Sequence, residues 1–269
     1  MLHGDGMIKD YHKRKLVEYL EPGKKFLIRF PHGWGDTQLF MPLLEEMRRR
    51  YPESQIDVCL SSGQEGWFGA IVNPQEGTYA EVFEVNFPLS ESSSLTKPER
   101  CAIEELGIPF IPEGCPLPVL PSPFVGVHFQ GTSCAESTNC PVDVAQHVWN
   151  EIAAFGKIPI ETHFIHVFAN PVNQALPFVT RDVRDLPIPG ITLRNLVGLI
   201  QRCWAFVGVT SGPLITALYT LPGRVLVLER VHKLSDYTHQ CVSAVDVMKY
   251  KPGTIRAWLE SLHHSELVP

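Results

Sequence analysis

The chain has 269 residues, 44% of them hydrophobic and 19% charged, which gives enough apolar material for one large or two modest cores and rules out a disordered polymer. A formal net charge of −6 excludes a general nucleic-acid binder, since that function needs a basic footprint. Asp5, Lys9, Asp10, Lys13, Arg14 and Lys15 break up the start of the chain, so it does not read as a signal peptide, and no apolar run reaches the roughly 18 residues of a spanning helix. The expectation is a cytoplasmic protein whose basic residues 13–15 offer at most peripheral contact with a membrane.

Seven cysteines without a C-x-x-C pair predict free, mostly buried thiols. The spacing of Cys134 and Cys140 matches no zinc pattern. His163 and His166 fall three apart in an expected strand and would face opposite ways, so no metal site is expected.

Taken in order, residues 1–21 read as a short helix or arm that ends at Pro22-Gly23. Residues 26–30 form a continuous apolar run, a buried strand, and residues 37–50 switch to helical spacing with Leu39, Phe40, Leu43, Leu44 and Met47. Between them lies Pro31-His32-Gly33-Trp34-Gly35-Asp36, whose glycines predict a tight turn and a close approach of backbone to a ligand. Residues 55–60 and 82–85 read as further strands, residues 67–72 stay ambiguous, and the Ser-rich residues 89–97 read as a surface loop. Six prolines from Pro109 to Pro123 forbid a helix or a central strand and predict an interdomain linker.

The second half opens with a strand over residues 124–129 that ends in His128-Phe129-Gln130-Gly131-Thr132-Ser133. A helix over residues 142–155 carries Val144, Val148, Ile152 and Phe155 on one face, and residues 164–168 read as a strand. Residues 193–200 predict a helix, 205–209 a buried strand, 211–220 a helix with Pro213 in its first turn, and 225–228 a strand. Regular strand and helix alternation predicts an α/β protein of two Rossmann-like domains with parallel sheets, residues 1–118 and 119–269.

Two stretches carry chemistry. Asp36 sits where the first helix begins, and spacing alone reads it as the helix cap. It also lies at the carboxyl end of a strand, where open α/β sheets bind their ligands. The second stretch is Val207-Gly208-Val209-Thr210-Ser211-Gly212-Pro213, a strand running into a helix whose free amides at a positive end suit a phosphate. A dinucleotide fingerprint is excluded, because Gly33-Trp34-Gly35-Asp36-Thr37-Gln38 lacks its third glycine, and this weighs against a nucleotide-sugar epimerase.

Gly35-Asp36, Pro42, Leu43, Arg48 to Arg50 and Pro52 together resemble the opening of glycosyltransferase family 9, the heptosyltransferase-like family. Residues 193–221 resemble the segment in which that family holds the diphosphate of its donor, and the loop after His128, with Pro141 and Trp149, continues the likeness. The resemblance implies a GT-B fold with the two domains facing across a cleft. It implies inverting transfer of a sugar, such as a heptose, from a nucleotide-diphosphate sugar to a glycan or glycolipid hydroxyl in surface-glycan or lipopolysaccharide synthesis.

In those terms Asp36 is the catalytic base, with His32, Gly33 and Gly35 in the acceptor loop. His128, Thr132, Ser133, Thr210, Ser211, Gly212 and Pro213 face the donor, and no metal or other cofactor is expected. At the start of a helix Asp36 would stay ionised and be a weak base. The sequence departs from the family where Thr210 and Ile215 replace an aspartate and a histidine, and where Thr138-Asn139-Cys140-Pro141 replaces a Lys-x-Trp-Pro motif. Arg181, Arg184, Arg202, Arg224 and Lys233 are the basic residues available to stand in for that lysine. A relative that binds nucleotide-sugar or glycan without turnover is the alternative expectation.

Overall fold

The computed structural model describes residues 15–61, 64, 69–87, 95–108, 122–131, 135–162, 175–185, 193–231, 233, 235, 237–238 and 242–266. The chain divides into two units, Met1–Glu113 and Gly114–Pro269. The expected boundary at residues 118–119 and most of the proline-rich stretch lie outside the described residues, as does the strand expected over 164–168.

In the first unit β1 (Lys25–Phe30) lies between β2 (Gln55–Leu60) and β3 (Glu81–Glu84), parallel to both, in the order β2-β1-β3. Phe26, Leu27, Ile28 and Phe30 are all buried, which explains why the apolar run is continuous: a central parallel strand is covered on both faces. Helix α1 (Trp34–Arg50) buries Leu39, Phe40, Leu43, Leu44 and Met47, and its Phe40 ring stacks on Phe30 with centroids 4.1 Å apart. Its far end is pinned by Arg48, whose Nε and Nη2 donate to the Ile56 carbonyl at 2.8 and 2.6 Å. Arg49 and Arg50 donate to Glu46 and hold its carboxyl down to about 2. The arginine-rich helix end is therefore a structural clasp.

The end of the expected Ser-rich loop is instead a helix start. Thr96 caps α2 (Lys97–Arg100) in a reciprocal capping box with Glu99, and wider π-helical turns continue over Cys101–Leu106 until Gly107, at φ 83°, stops them.

The second unit holds five parallel strands, β4 (Phe124–His128), β5 (Ile158–Glu161), β6 (Ala205–Val209), β7 (Val225–Glu229) and β8 (Ser243–Asp246), in the order β5-β4-β6-β7-β8. Strand β5 was not expected, because Pro159 argues against a strand. The proline is tolerated since β5 is, among the described residues, an edge strand that need not donate outward. Strand β8 and the helix α7 (Thr254–Glu266) were likewise not expected. Short α3 (Ala135–Thr138) and α4 (Val142–Ala154) follow β4, and α5 (Leu193–Ile200) and α6 (Gly212–Thr220) flank β6.

The core of this unit joins Val144, Val148, Ile152 and Trp149 of α4 to Ile255, Trp258, Leu259 and Leu262 of α7 and to the strands between. Glu151 ties those two helices together, accepting from Tyr250 Oη at 2.8 Å and from the Gly253 and Arg256 amides at 2.7 and 3.0 Å. Across β4 and β6 the fully buried Phe206 ring lies over two glycines. A Cβ on Gly126 would sit 2.7 Å from that ring, and one on Gly208 2.8 Å.

Gly126→Ala and Gly208→Ala should each lower stability by about 1–3 kcal/mol, the usual cost of overpacking. A Cβ at Gly33 would meet nothing within 4 Å, and Gly33→Ser should leave stability within about 0.5 kcal/mol of the parent. Urea unfolding of the three variants checks both statements.

Candidate functional site

The described strand order reverses direction between β1 and β3 in the first unit and between β4 and β6 in the second. At such switch points the loops at the carboxyl ends part and leave a crevice for a ligand. The two singled-out stretches follow β1 and β6, so each falls at the switch point of its own sheet.

In the first unit the tight turn expected of Gly33 and Gly35 is absent. Gly33 is the N-cap of α1 with an ordinary φ of −65°, and Gly35 lies inside the first helical turn. Asp36 is thus the third residue of α1 and not its cap, and no side chain caps this helix. The loop before it is tied down through its backbone, because the His32 carbonyl accepts from Ser61 Oγ at 3.0 Å and Gln64 Nε2 at 2.8 Å, both just past β2. The His32 ring packs against Phe30 and Phe87 and accepts the Phe87 amide on Nε2 at 3.3 Å. That bond puts the ring proton on Nδ1.

Asp36 is half-buried, and no described residue hydrogen-bonds its carboxylate. Burial pushes its pKa above the ordinary value, while Lys97, and His32 when its ring is protonated, pull against that without overcoming it. This corrects the expectation of a carboxylate held low by the helix start: loss of water outweighs the pull of Lys97 and His32. Two residues earlier, Trp34 Nε1 is buried without a hydrogen-bond partner, and so is Oε1 of Gln64. Unmatched buried polar groups are few in folded proteins and call for an explanation, and these two belong to the start of α1 and to the side chain that holds the loop before it.

Lys97 was missed as a neighbour of Asp36 because the serine-rich composition around it masked a helix start. The signal was present in Thr96-Lys97-Pro98-Glu99, a capping box with proline in the first turn. Cys101 also feels Asp36, but burial above all pushes its thiol far up and leaves it inert as a nucleophile.

In the second unit the register pairs His128 with Gly208 and Val209 with Leu228, so the ends of β4, β6 and β7 are nearly level. Ser211 occupies the N-cap position of α6, yet its hydroxyl donates back to the Val209 carbonyl at 3.0 Å and no side chain caps the helix. Pro213, early in the first turn, brings no amide, which leaves that turn one donor fewer than the motif implied. Oγ1 of Thr210 is buried without a hydrogen-bond partner.

His128 is buried, with Nδ1 3.1 Å from Thr162 Oγ1 and 3.9 Å from Glu161 Oε1. Thr162 gives its own proton to the Val127 carbonyl at 2.9 Å, so Nδ1 of His128 must be the donor between them. The histidine therefore orders the ends of β4 and β5. Thr132 and Ser133 lie outside the described residues.

The basic residues sort by position. Arg202 and Arg224 precede β6 and β7 at the amino edge of the sheet, away from Thr210 and Ser211, and Arg224 donates to the Trp204 carbonyl. Lys233 is paired with Glu229 at 3.4 Å, Arg181 is exposed beside the end of β5, and nothing is described of the Arg184 side chain. A residue the sequence reading passed over, Arg230, follows β7 directly and donates from Nη1 to the Asn139 carbonyl at 3.3 Å. Asn139 in turn accepts the Gly131 amide on Oδ1 at 2.7 Å, and so holds the loop after β4. The sign that could have found Arg230 is its place as the first residue beyond an apolar strand. Among the described residues no three His, Cys, Asp or Glu side chains gather as metal ligands, and no helix is long and apolar enough to cross a membrane.

No protein-family profile and no curated protein matches the chain. Solved structures do. The ADP-heptose lipopolysaccharide heptosyltransferase II of E. coli is similar at a TM-score of 0.64 and 14% identity, over 91% of this chain and 100% of that one. The iron-containing dodecameric glycosyltransferase TibC of enterotoxigenic E. coli is similar at 0.63 and 15%, over 95% and 81%. A glycosyltransferase family 9 protein of Veillonella parvula is similar at 0.60 and 12%, over 91% and 98%. The chain therefore has the fold of the heptosyltransferase-like glycosyltransferases, a GT-B-like pair of α/β units with parallel sheets.

The raised pKa gives a test of Asp36 that needs no substrate. Its folded value lies above the ordinary 3.8, so the stability it contributes is fully present below that pH and is lost as pH rises through the folded value. Asp36→Asn should therefore unfold at a higher temperature than the parent at pH 7, with the gap closing as the pH falls towards 4, in thermal melts followed by circular dichroism.

Proposed function

We propose that this chain is an inverting glycosyltransferase that moves a sugar from a nucleotide-diphosphate donor to a hydroxyl group of a glycan or glycolipid. The observation that carries the reading is Asp36, a half-buried carboxylate at the switch point of its sheet that no described residue hydrogen-bonds and whose pKa burial raises. A structural carboxylate at a helix start would be hydrogen-bonded and held low; this one is kept unsatisfied and more basic, as suits a general base.

In the reaction the acceptor oxygen attacks the anomeric carbon as its proton passes to Asp36. The bond from that carbon to the diphosphate breaks, and the leaving group carries off the electron pair. Charge then grows on the diphosphate, which the second unit would meet with the Thr210 hydroxyl and the uncapped start of α6. His32 holds the loop before Asp36, Gly33 leaves open space at the helix start, Gly35 lies in the first turn, and His128 braces the donor side. The reading needs no resident metal, since the sequence has no Asp-x-Asp motif, and it places the protein in the cytoplasm with at most peripheral membrane contact.

ADP-heptose is the first donor to test, because TibC, which has a similar fold, was solved with ADP-D-β-D-heptose and the similar E. coli protein is a lipopolysaccharide heptosyltransferase. One observation favours binding without turnover: Ile215, in the family's histidine position, is a buried core residue and brings no donor to the site.

Release of nucleoside diphosphate from a panel of nucleotide-sugars, with lipopolysaccharide-type acceptors, separates the two readings. The enzyme reading expects turnover that Asp36→Asn lowers by about 10²–10⁴-fold with donor affinity retained. Donor binding without turnover on any acceptor would establish the non-catalytic relative.

A further inference from the structure

Arg230 is the first residue past β7, and its guanidinium reaches Asn139 in the loop that follows β4. The next residue makes the same crossing by its backbone, the Val231 amide donating to the Ser137 carbonyl at 3.3 Å. Strand β6 lies between β4 and β7 in the sheet. These contacts therefore meet across the carboxyl end of β6, where Thr210 and Ser211 stand.

The electrostatics of that crossing are unbalanced. Arginine carries five donors in a planar fork, and here one of them goes to a carbonyl, which brings no countercharge. Acids lie near but are committed elsewhere. Glu229 pairs with Lys233 at 3.4 Å, and its register partner Asp246 pairs with Lys249 at 3.3 Å. Glu161 and Asp143 share with Arg230 only an effect on Cys140, and neither is within ion-pair distance of it. Among the described residues the half-buried Arg230 has no carboxylate partner. A cation partly withdrawn from water without a counterion is costly unless a ligand brings one. The fork of an arginine fits two phosphate oxygens at once, and the Thr210 hydroxyl, unpartnered at the end of the neighbouring strand β6, is a further donor at that edge of the sheet.

We propose that Arg230, held over the end of β6 by Asn139, binds the diphosphate of the donor and is the main cation of that subsite. The inference rests on the reading of the chain as a nucleotide-sugar enzyme, and the test separates the two. Binding of ADP, UDP, GDP and inorganic pyrophosphate to the intact chain is measured by titration calorimetry, with the matching nucleoside as control. The variants are Arg230→Gln, which keeps a donor for the Asn139 carbonyl and loses the charge, and Arg230→Lys, which keeps the charge and loses the fork.

The expected result is a weakening of diphosphate binding by about ten- to a hundredfold in Arg230→Gln, a smaller loss in Arg230→Lys, and nucleoside affinity unchanged in both. Equal diphosphate affinity in the parent and Arg230→Gln, or an equal loss of nucleoside affinity, overturns the role of Arg230 and leaves the glycosyltransferase reading standing. Pyrophosphate binding that depends on Arg230, with no nucleoside diphosphate bound, overturns the glycosyltransferase reading and keeps the anion subsite. A parent chain that binds none of the four ends both.

Discussion

Parallel pairing is the constraint on which the rest of this protein turns. Because β4, β6, β7 and β8 run the same way in a fixed register, His128, Val209, Glu229 and Asp246 finish at one edge of the sheet, and the loops that leave them become neighbours whatever their separation in sequence. Asn139 and Arg230 are brought together in this manner across ninety-one positions of chain. The first unit repeats the device with fewer strands, and there it ties His32, in the loop before Asp36, to residues that follow β2 and β3. Tight packing under the sheet keeps the register. The Phe206 ring fills the space that side chains at Gly126 and Gly208 would need, and so locks β4 against β6 below the loops that matter.

The two sheet edges use opposite electrostatic arrangements. In the first unit a carboxylate loses water without gaining a hydrogen bond from any described residue, and Lys97 and His32 offset only part of that loss. In the second a guanidinium has a carbonyl for company and, among the described residues, no acid. Elsewhere the charges are matched conventionally, Glu46 by Arg49 and Arg50 and Glu229 by Lys233. Both groups stand at the carboxyl ends of parallel strands, where open α/β sheets take their ligands.

Much of the architecture could be read from the chain because apolar periodicity is a direct image of burial. β1, β2, β4 and β6 and the helices α1, α4, α5 and α6 all carry it plainly. Strand β5 did not, since only its place at an edge lets Pro159 belong to a strand. The position of Asp36 was legible and its state was not: a helix start predicts a low pKa, while the opposing desolvation depends on what packs round it. Lys97 and Arg230 share a different difficulty. Each meets its site through a contact between segments remote in sequence, and no local pattern encodes such a meeting. Arg202 and Arg224 show the converse, being close to the donor motif along the chain and at the wrong edge of the sheet in space.

The clasp that Glu151 makes on the start of α7 bears on how the molecule is made. The core of the second unit draws Ile255, Trp258, Leu259 and Leu262 from that helix, whereas the first unit ends at Glu113. On the ribosome the leading half can finish folding while the trailing half still has one flank bare, waiting for its last helix to emerge. Until then Val148 and Ile152 are open to misplaced partners, so the trailing half is the stage of biogenesis at which a chaperone would have most to shield.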